Sequence, residues 1–170
     1  MADFANVDFK TAYDKTDEQS VMRGMQSFMK ANCLQCHAVG GHGVNLGPNL
    51  VEATRKFTGK KLLEQMLSPS KEINEKFRAS QFITTAGKVI VGVIAKEDKK
   101  TFHVRTNLLT PDRITQIRKR DIEERIVSKI SAMPNGLLNV LTREEILNLL
   151  AFLESGGFKL PAHIKHGHAH

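Results

Sequence analysis

Cys33-Leu34-Gln35-Cys36-His37 decides how the rest of the chain is read, because its two cysteines are the only ones in 170 residues. Two thiols one short turn apart, followed at once by an imidazole, form the Cys-x-x-Cys-His pattern of covalent haem attachment. Each sulfur can bond a haem vinyl group, and the histidine lies where it can take one axial position on iron. Three other uses compete for the same residues. A structural zinc ion wants four protein ligands, and beyond Cys33, Cys36 and His37 the nearby candidate is His42 in a glycine-rich loop. A thioredoxin-like redox pair expects a preceding strand in a βαβ unit, whereas a helical pattern precedes this motif. A plain disulfide in a secreted domain needs only the two thiols. Five consecutive residues of the attachment pattern favour haem over all three.

On the N-terminal side, the polar and weakly patterned residues 1–19 read as a mobile or surface-draped arm that ends in a helix start near Thr16-Asp17-Glu18. Val21, Met22, Met25, Phe28 and Met29 then recur at helical spacing and read as a core stripe, with Gly24 placed where another helix could approach closely. This helix should end around Ala31-Asn32 and deliver the cysteine motif directly. On the C-terminal side, Gly40, Gly41, Gly43 and Gly47 give a loop free to wrap the histidine, closed by Gly47-Pro48-Asn49-Leu50. A ligating histidine usually gives its second ring N–H to an acceptor that fixes its orientation. The Pro48 carbonyl is the candidate, presented rigidly by a residue of fixed φ, with an ordinary turn as the alternative. A short helix over residues 59–67, with Leu62, Leu63, Met66 and Leu67 inward, is stopped by Ser68-Pro69-Ser70.

The period then changes. Phe82, Ile83, Val89, Val91, Val93, Phe102, Val104 and Ile114 fall in short β-rich runs. They predict a small antiparallel sheet over residues 79–119, half exposed, with hairpin turns at Ala86-Gly87 and at residues 97–100. His103, alone on a strand, reads as a surface or packed residue rather than a ligand. Helical periodicity returns after the capping box Thr142-x-x-Glu145, with Ile146, Leu147, Leu149, Leu150, Phe152 and Leu153 on the apolar face and Gly156-Gly157 as the stop. Between sheet and helix stands Ser131-Ala132-Met133-Pro134-Asn135-Gly136-Leu137-Leu138. Helical spacing explains Met22, Met25, Met29 and Met66 as core, which leaves Met133, in an irregular loop, as the candidate sixth ligand.

Length and composition, 41% hydrophobic and 25% charged, suit one globular domain with a single core, and no stretch is long and apolar enough to span a membrane. The first residues lack the basic and apolar regions of a secretory signal. Because such haem attachment happens outside the bacterial cytoplasm, the expectation is a periplasmic or otherwise extracytoplasmic protein whose native signal peptide, cleaved or replaced, is absent from this sequence. The formal charge of +7 gathers in Arg55-Lys56 with Lys60-Lys61, in Lys99-Lys100, and in Arg113 through Arg118-Lys119-Arg120. Such clusters suit docking to an acidic redox partner, with a solvated surface as the plain alternative. No aromatics interleave with the charges, which argues against nucleic acid. His163, His166, His168 and His170, in a tail over residues 156–170, could capture a metal or simply belong to a disordered end. Nothing in the sequence speaks to oligomeric state.

Taken in order, Cys33 to His37, Gly47-Pro48-Asn49-Leu50, Met133-Pro134 and Leu149-Leu150-Ala151-Phe152-Leu153 resemble a class I c-type cytochrome. Leu67-Ser68-Pro69-Ser70-Lys71, Asp121-Ile122-Glu123-Glu124-Arg125 and Ser131 to Leu138 further resemble the haem-binding domain widespread in Planctomycetes and Verrucomicrobia, over about residues 20–155. The resemblance implies a mainly α (α+β) fold: a class I cytochrome c helical core around one haem c. The small antiparallel sheet is inserted between the proximal histidine and the distal methionine, which stand 96 residues apart. It implies thioether attachment at Cys33 and Cys36, proximal ligation by His37, orientation by the Pro48 carbonyl and distal ligation by Met133. It also implies packing of Gly24 and Phe28 against Phe152. Histidine with methionine leaves iron no vacant site and raises the potential, which suits an electron carrier and not an enzyme. The alternative is a haem-based sensor or ligand-binding module in which the methionine is labile or absent.

Overall fold

The structure, a computed structural model, describes residues 3–107, 110 and 113–158. The four tail histidines lie outside the described residues. Where the sequence suggests one core, the chain divides into two compact units. One is built from the chain up to Glu64 and again from Gly136 onward, the other from Gln65–Asn135.

The first unit is helical. Helix α1 (Glu18–Lys30) begins where the Asp17 side chain accepts the Ser20 N–H at 2.9 Å, supplying one of the bonds that a helix start otherwise lacks. Helix α4 (Arg143–Glu154) begins with the full capping box of Thr142 and Glu145. These two helices pack on each other, with the Phe28 and Phe152 rings 5.3 Å apart, as the resemblance implies. Gly24 makes that approach possible. A Cβ there would stand 2.7 Å from the Phe152 Cβ and closer still to the Asn148 carbonyl. The buried face of α1 is therefore Gly24, Ser27 and Phe28. Met22 and Met29, expected in the core, are 60% and 51% exposed. The small residues let backbone meet backbone, and the methionines are left on the flank. Between α1 and α4 in sequence lie α2 (Leu50–Ala53), a four-residue helix the sequence pattern does not reveal, and α3 (Gly59–Leu67). On α3, Leu62 and Leu63 are buried as expected, while Met66 and Leu67 are only half-buried.

The arm before α1 is draped on this unit. The Tyr13 hydroxyl donates to the Glu154 carboxylate at 2.5 Å, and the Gly59 N–H donates to the same oxygen at 2.7 Å. One nearly buried carboxylate thus ties the arm, the start of α3 and the end of α4 together.

The second unit is a five-stranded antiparallel sheet: β3 (Ala79–Thr84), β4 (Val89–Glu97), β5 (Thr101–Arg105), β6 (Ile114–Arg118) and β7 (Ile122–Val127), in the order β6-β5-β4-β3-β7. The turns at residues 85–88 and 98–100 fall where the sequence places them. The sheet nevertheless runs to Val127, beyond residue 119, because the chain leaves β6 through a 3-10 turn at Lys119–Asp121 and returns as β7 beside β3. That turn bridges both hairpin loops, its Lys119 N–H donating to the Lys100 carbonyl at 2.8 Å and its Asp121 carbonyl accepting the Thr85 N–H at 2.9 Å. Phe82, Phe102, Val104 and Ile117 form the core. Phe82 and Phe102 stand on strands separated by β4, which a flat sheet would hold about 10 Å apart. Their ring centroids are 5.3 Å apart, and Arg125 on β7 reaches within 5.2 Å of the Phe102 ring. The two rings lean over β4 toward each other, and Val89 and Val91, of the opposite parity on β4 to Ile90 beside Phe82, are exposed.

Candidate functional site

The end of α1 sets the geometry of the cysteine motif. Ala31 caps the helix, Asn32 turns the chain in the left-handed region at φ 55, and Cys33–Gln35 form a single 3-10 turn. The N–H groups of Cys36 and His37 both donate to the Cys33 carbonyl, at 3.2 and 3.0 Å. The two thiols and the imidazole thus issue from one closed turn. Cys33 and Cys36 are half-buried and not joined to each other. A helix precedes the motif, so the strand required by a thioredoxin-like reading is missing.

The following residues fold back over His37. β1 (Ala38–Val39) pairs with β2 (His42–Gly43), and the N–H groups of Leu46 and Gly47 donate to the Cys36 carbonyl at 3.1 and 2.7 Å. This brings Gly47 flat against the imidazole: a Cβ there would fall 2.5 Å from the ring Cε1 and 2.8 Å from Nδ1. Sequence reasoning assigns Gly47 only loop freedom. The signal for its real role was its place immediately before Pro48, whose carbonyl accepts from the imidazole, where a side chain would displace the ring. The Pro48 carbonyl stands 2.8 Å from His37 Nδ1. Asn49 then caps α2, its Oδ1 accepting the Val51 N–H at 2.9 Å, so the loop is pinned on its far side.

Electrostatics follow from burial. Removing the His37 ring from water disfavours its charged form and holds its pKa below the ordinary histidine value, with the Pro48 acceptor pulling weakly the other way. The ring is therefore neutral at neutral pH. With its one proton on Nδ1 and directed to Pro48, Nε2 carries a lone pair. Burial also pushes the Cys33 thiol up to about 11. A neutral imidazole with a free Nε2 lone pair, beside two thiols on one turn, is the donor set that a covalently attached haem requires.

Of the other residues singled out, His42 packs edge-on against Phe158 with centroids 5.1 Å apart. Among the described residues no three His, Cys, Asp or Glu side chains gather as a metal site. His103 pairs with Asp98, Nε2 to Oδ2 at 3.0 Å. Cys33, Cys36, His37 and Pro48 come together in the helical unit. Met133 belongs to the sheet unit, half-buried, with its N–H donated to the Ser131 hydroxyl at 3.1 Å.

No helix among the described residues is long and apolar enough to cross a membrane. No curated protein matches the chain significantly. Residues 21–88 match the model of the cytochrome c family, a span that runs from α1 through the first hairpin turn of the sheet and stops short of Met133. That match implies a covalently bound haem c with its iron, for whose attachment Cys33 and Cys36 are present, and supports a haem-binding electron carrier in general.

Proposed function

We propose that the chain is a monohaem electron carrier in which Cys33 and Cys36 hold the haem and His37 and Met133 are the axial ligands of its iron. The observation that carries this reading is the 2.8 Å bond between His37 Nδ1 and the Pro48 carbonyl, which aims a neutral imidazole from the same turn as the two thiols. When bound, a haem of this kind supplies a one-electron couple whose potential depends on its axial ligands. The protein's part is to keep the imidazole still. Pro48 fixes its tautomer, Gly47 lies against its face, and the Leu46 and Gly47 N–H groups lock the loop to Cys36. A ligand that does not reorient between oxidation states adds little to the cost of moving an electron.

The reading of Met133 rests on the Met133-Pro134 loop and on the likeness of residues 131–138 to the Planctomycete and Verrucomicrobium type of domain. It no longer rests on elimination, since Met22 and Met29 are exposed and not consumed by the core. We assign the protein to that subclass and to the periplasm, the compartment where such haem is attached and where redox partners with acidic docking faces would meet it.

The oxidised absorption spectrum tests the ligand set. The weak far-red band of methionine on ferric haem is expected in the parent protein and absent from Met133→Ala, with a potential lower by on the order of 100 mV. A parent protein that lacks the band, or that binds carbon monoxide readily when reduced, would instead be a sensor or ligand-binding module.

A further inference from the structure

The net charge is divided unequally between the two units. Residues 65–135 carry 14 Lys and Arg against 8 Asp and Glu, a formal +6, while the rest of the chain carries 11 against 10, only +1. Within the sheet unit half of that excess, +3, stands at one end, where the turn at residues 85–88, the turn at residues 98–100 and the 3-10 turn Lys119–Asp121 are bonded to one another. Lys88, Lys99, Lys100, Arg118, Lys119 and Arg120 issue from this end, against Glu97, Asp98 and Asp121.

The three carboxylates are already engaged. Asp121 serves two guanidinium groups, Arg118 at 2.6 Å and Arg120 at 3.6 Å. Glu97 takes Lys119 at 2.5 Å, and Asp98 takes His103 together with the N–H groups of Lys100 and Thr101. Lys88, Lys99 and Lys100 are exposed, with no carboxylate within ion-pairing distance among the described residues. Half the cations are thus held in place by internal pairs and half are available. Glu123 and Glu124 follow on β7 and bound the patch on that side.

We infer that this end of the sheet unit is a docking surface for an acidic protein. The choice of partner follows from the pattern. Carboxylates interspersed among the cations repel a continuous polyanion, whereas a protein face with discrete carboxylates can meet the free lysines and avoid Glu97, Asp98 and Asp121. Val89, exposed directly beside Lys88, adds the apolar contact usual in protein interfaces. The inference draws its purpose from the electron-carrier reading, but its test measures binding, so either can fail alone.

The holoprotein is titrated with a plant-type ferredoxin, a small acidic redox protein, at low and at raised salt. Two double variants make the same charge change: Lys99→Glu with Lys100→Glu at the sheet pole, and Lys56→Glu with Lys60→Glu on the exposed surface of the helical unit. Binding at low salt should weaken about tenfold in the first variant and less than about twofold in the second, with both differences shrinking as salt screens the charges. Equal losses in the two variants would make net charge the cause and overturn the assignment. So would no binding at low salt, or tighter binding to phosphatidylglycerol vesicles or duplex DNA than to the ferredoxin at the same ionic strength.

Discussion

The helical unit and the sheet unit differ in where the attachment residues and the excess charge lie. The helical unit holds the two thiols, the imidazole and its carbonyl partner, and is close to electrically neutral; the sheet unit holds none of these and nearly all of the excess positive charge. A lysine close to a redox centre stabilises its reduced form by Coulomb attraction, so charge used for docking would also shift the potential. Attachment and charge can therefore be probed by substitutions in different segments of the chain.

The sharpest way to break this comparison is to remove the thiols. Cys33→Ala with Cys36→Ala should abolish covalent haem completely, read as loss of haem stain on a denaturing gel; retained covalent haem would sink the attachment assignment. Next in size, Phe82→Ala should cost the sheet unit about 3–5 kcal/mol, since the ring is fully buried at the centre of its core. Denaturant unfolding followed by circular dichroism would show it, and an unshifted haem band in native buffer would show that the damage stays in the sheet. Gly24→Ala should cost about 1–3 kcal/mol in the helical unit by forcing α1 away from Asn148 and Phe152, seen as a lower unfolding midpoint in the helical signal.

The smallest effect concerns Tyr13. Burial, aided by the Glu154 carboxylate, raises its pKa above the ordinary 10.0. Because the folded state holds this proton more tightly than the unfolded chain, the stabilisation is complete below pH 10 and declines as pH rises beyond it. Tyr13→Phe should lower stability at neutral pH by about 1 kcal/mol and make the alkaline decline shallower, which a series of thermal melts from neutral pH upward would register. An unchanged slope would mean that lysines alone control the alkaline limit.

Much of this was legible in the sequence because it depends on neighbours in the chain. Asp17 and the pair Thr142 and Glu145 announce the starts of α1 and α4, and the turns on either side of β4 lie where polar residues interrupt β-branched runs. The Pro48 acceptor follows from the needs of His37 a few residues away. What escaped depends on distant parts. Three consecutive charges, Glu123-Glu124-Arg125, conceal the alternation of β7, whose place is set by pairing with β3 some 40 residues earlier. The exposure of Met22 and Met29 could not be read from spacing, since α4 chose the side of α1 where glycine and serine permit close approach. α2 is too short to show a period, and the role of Gly47 appears only when the loop has closed on the imidazole.

The helical unit is discontinuous along the chain, and this has a kinetic consequence. α1 ends at Lys30 and its partner α4 begins at Arg143. Closing a flexible loop of about 110 residues would cost on the order of 4 kcal/mol in chain entropy before a single Phe28–Phe152 contact repaid it. The sheet unit, by contrast, is one uninterrupted segment lying wholly within that loop, and its strands mostly pair with their neighbours in sequence. If it condenses first, the slack between the two helices shortens sharply. The sheet would then act during folding as an internal clasp, and a weakened sheet core should slow the docking of α4 onto α1 as well as loosen the sheet itself.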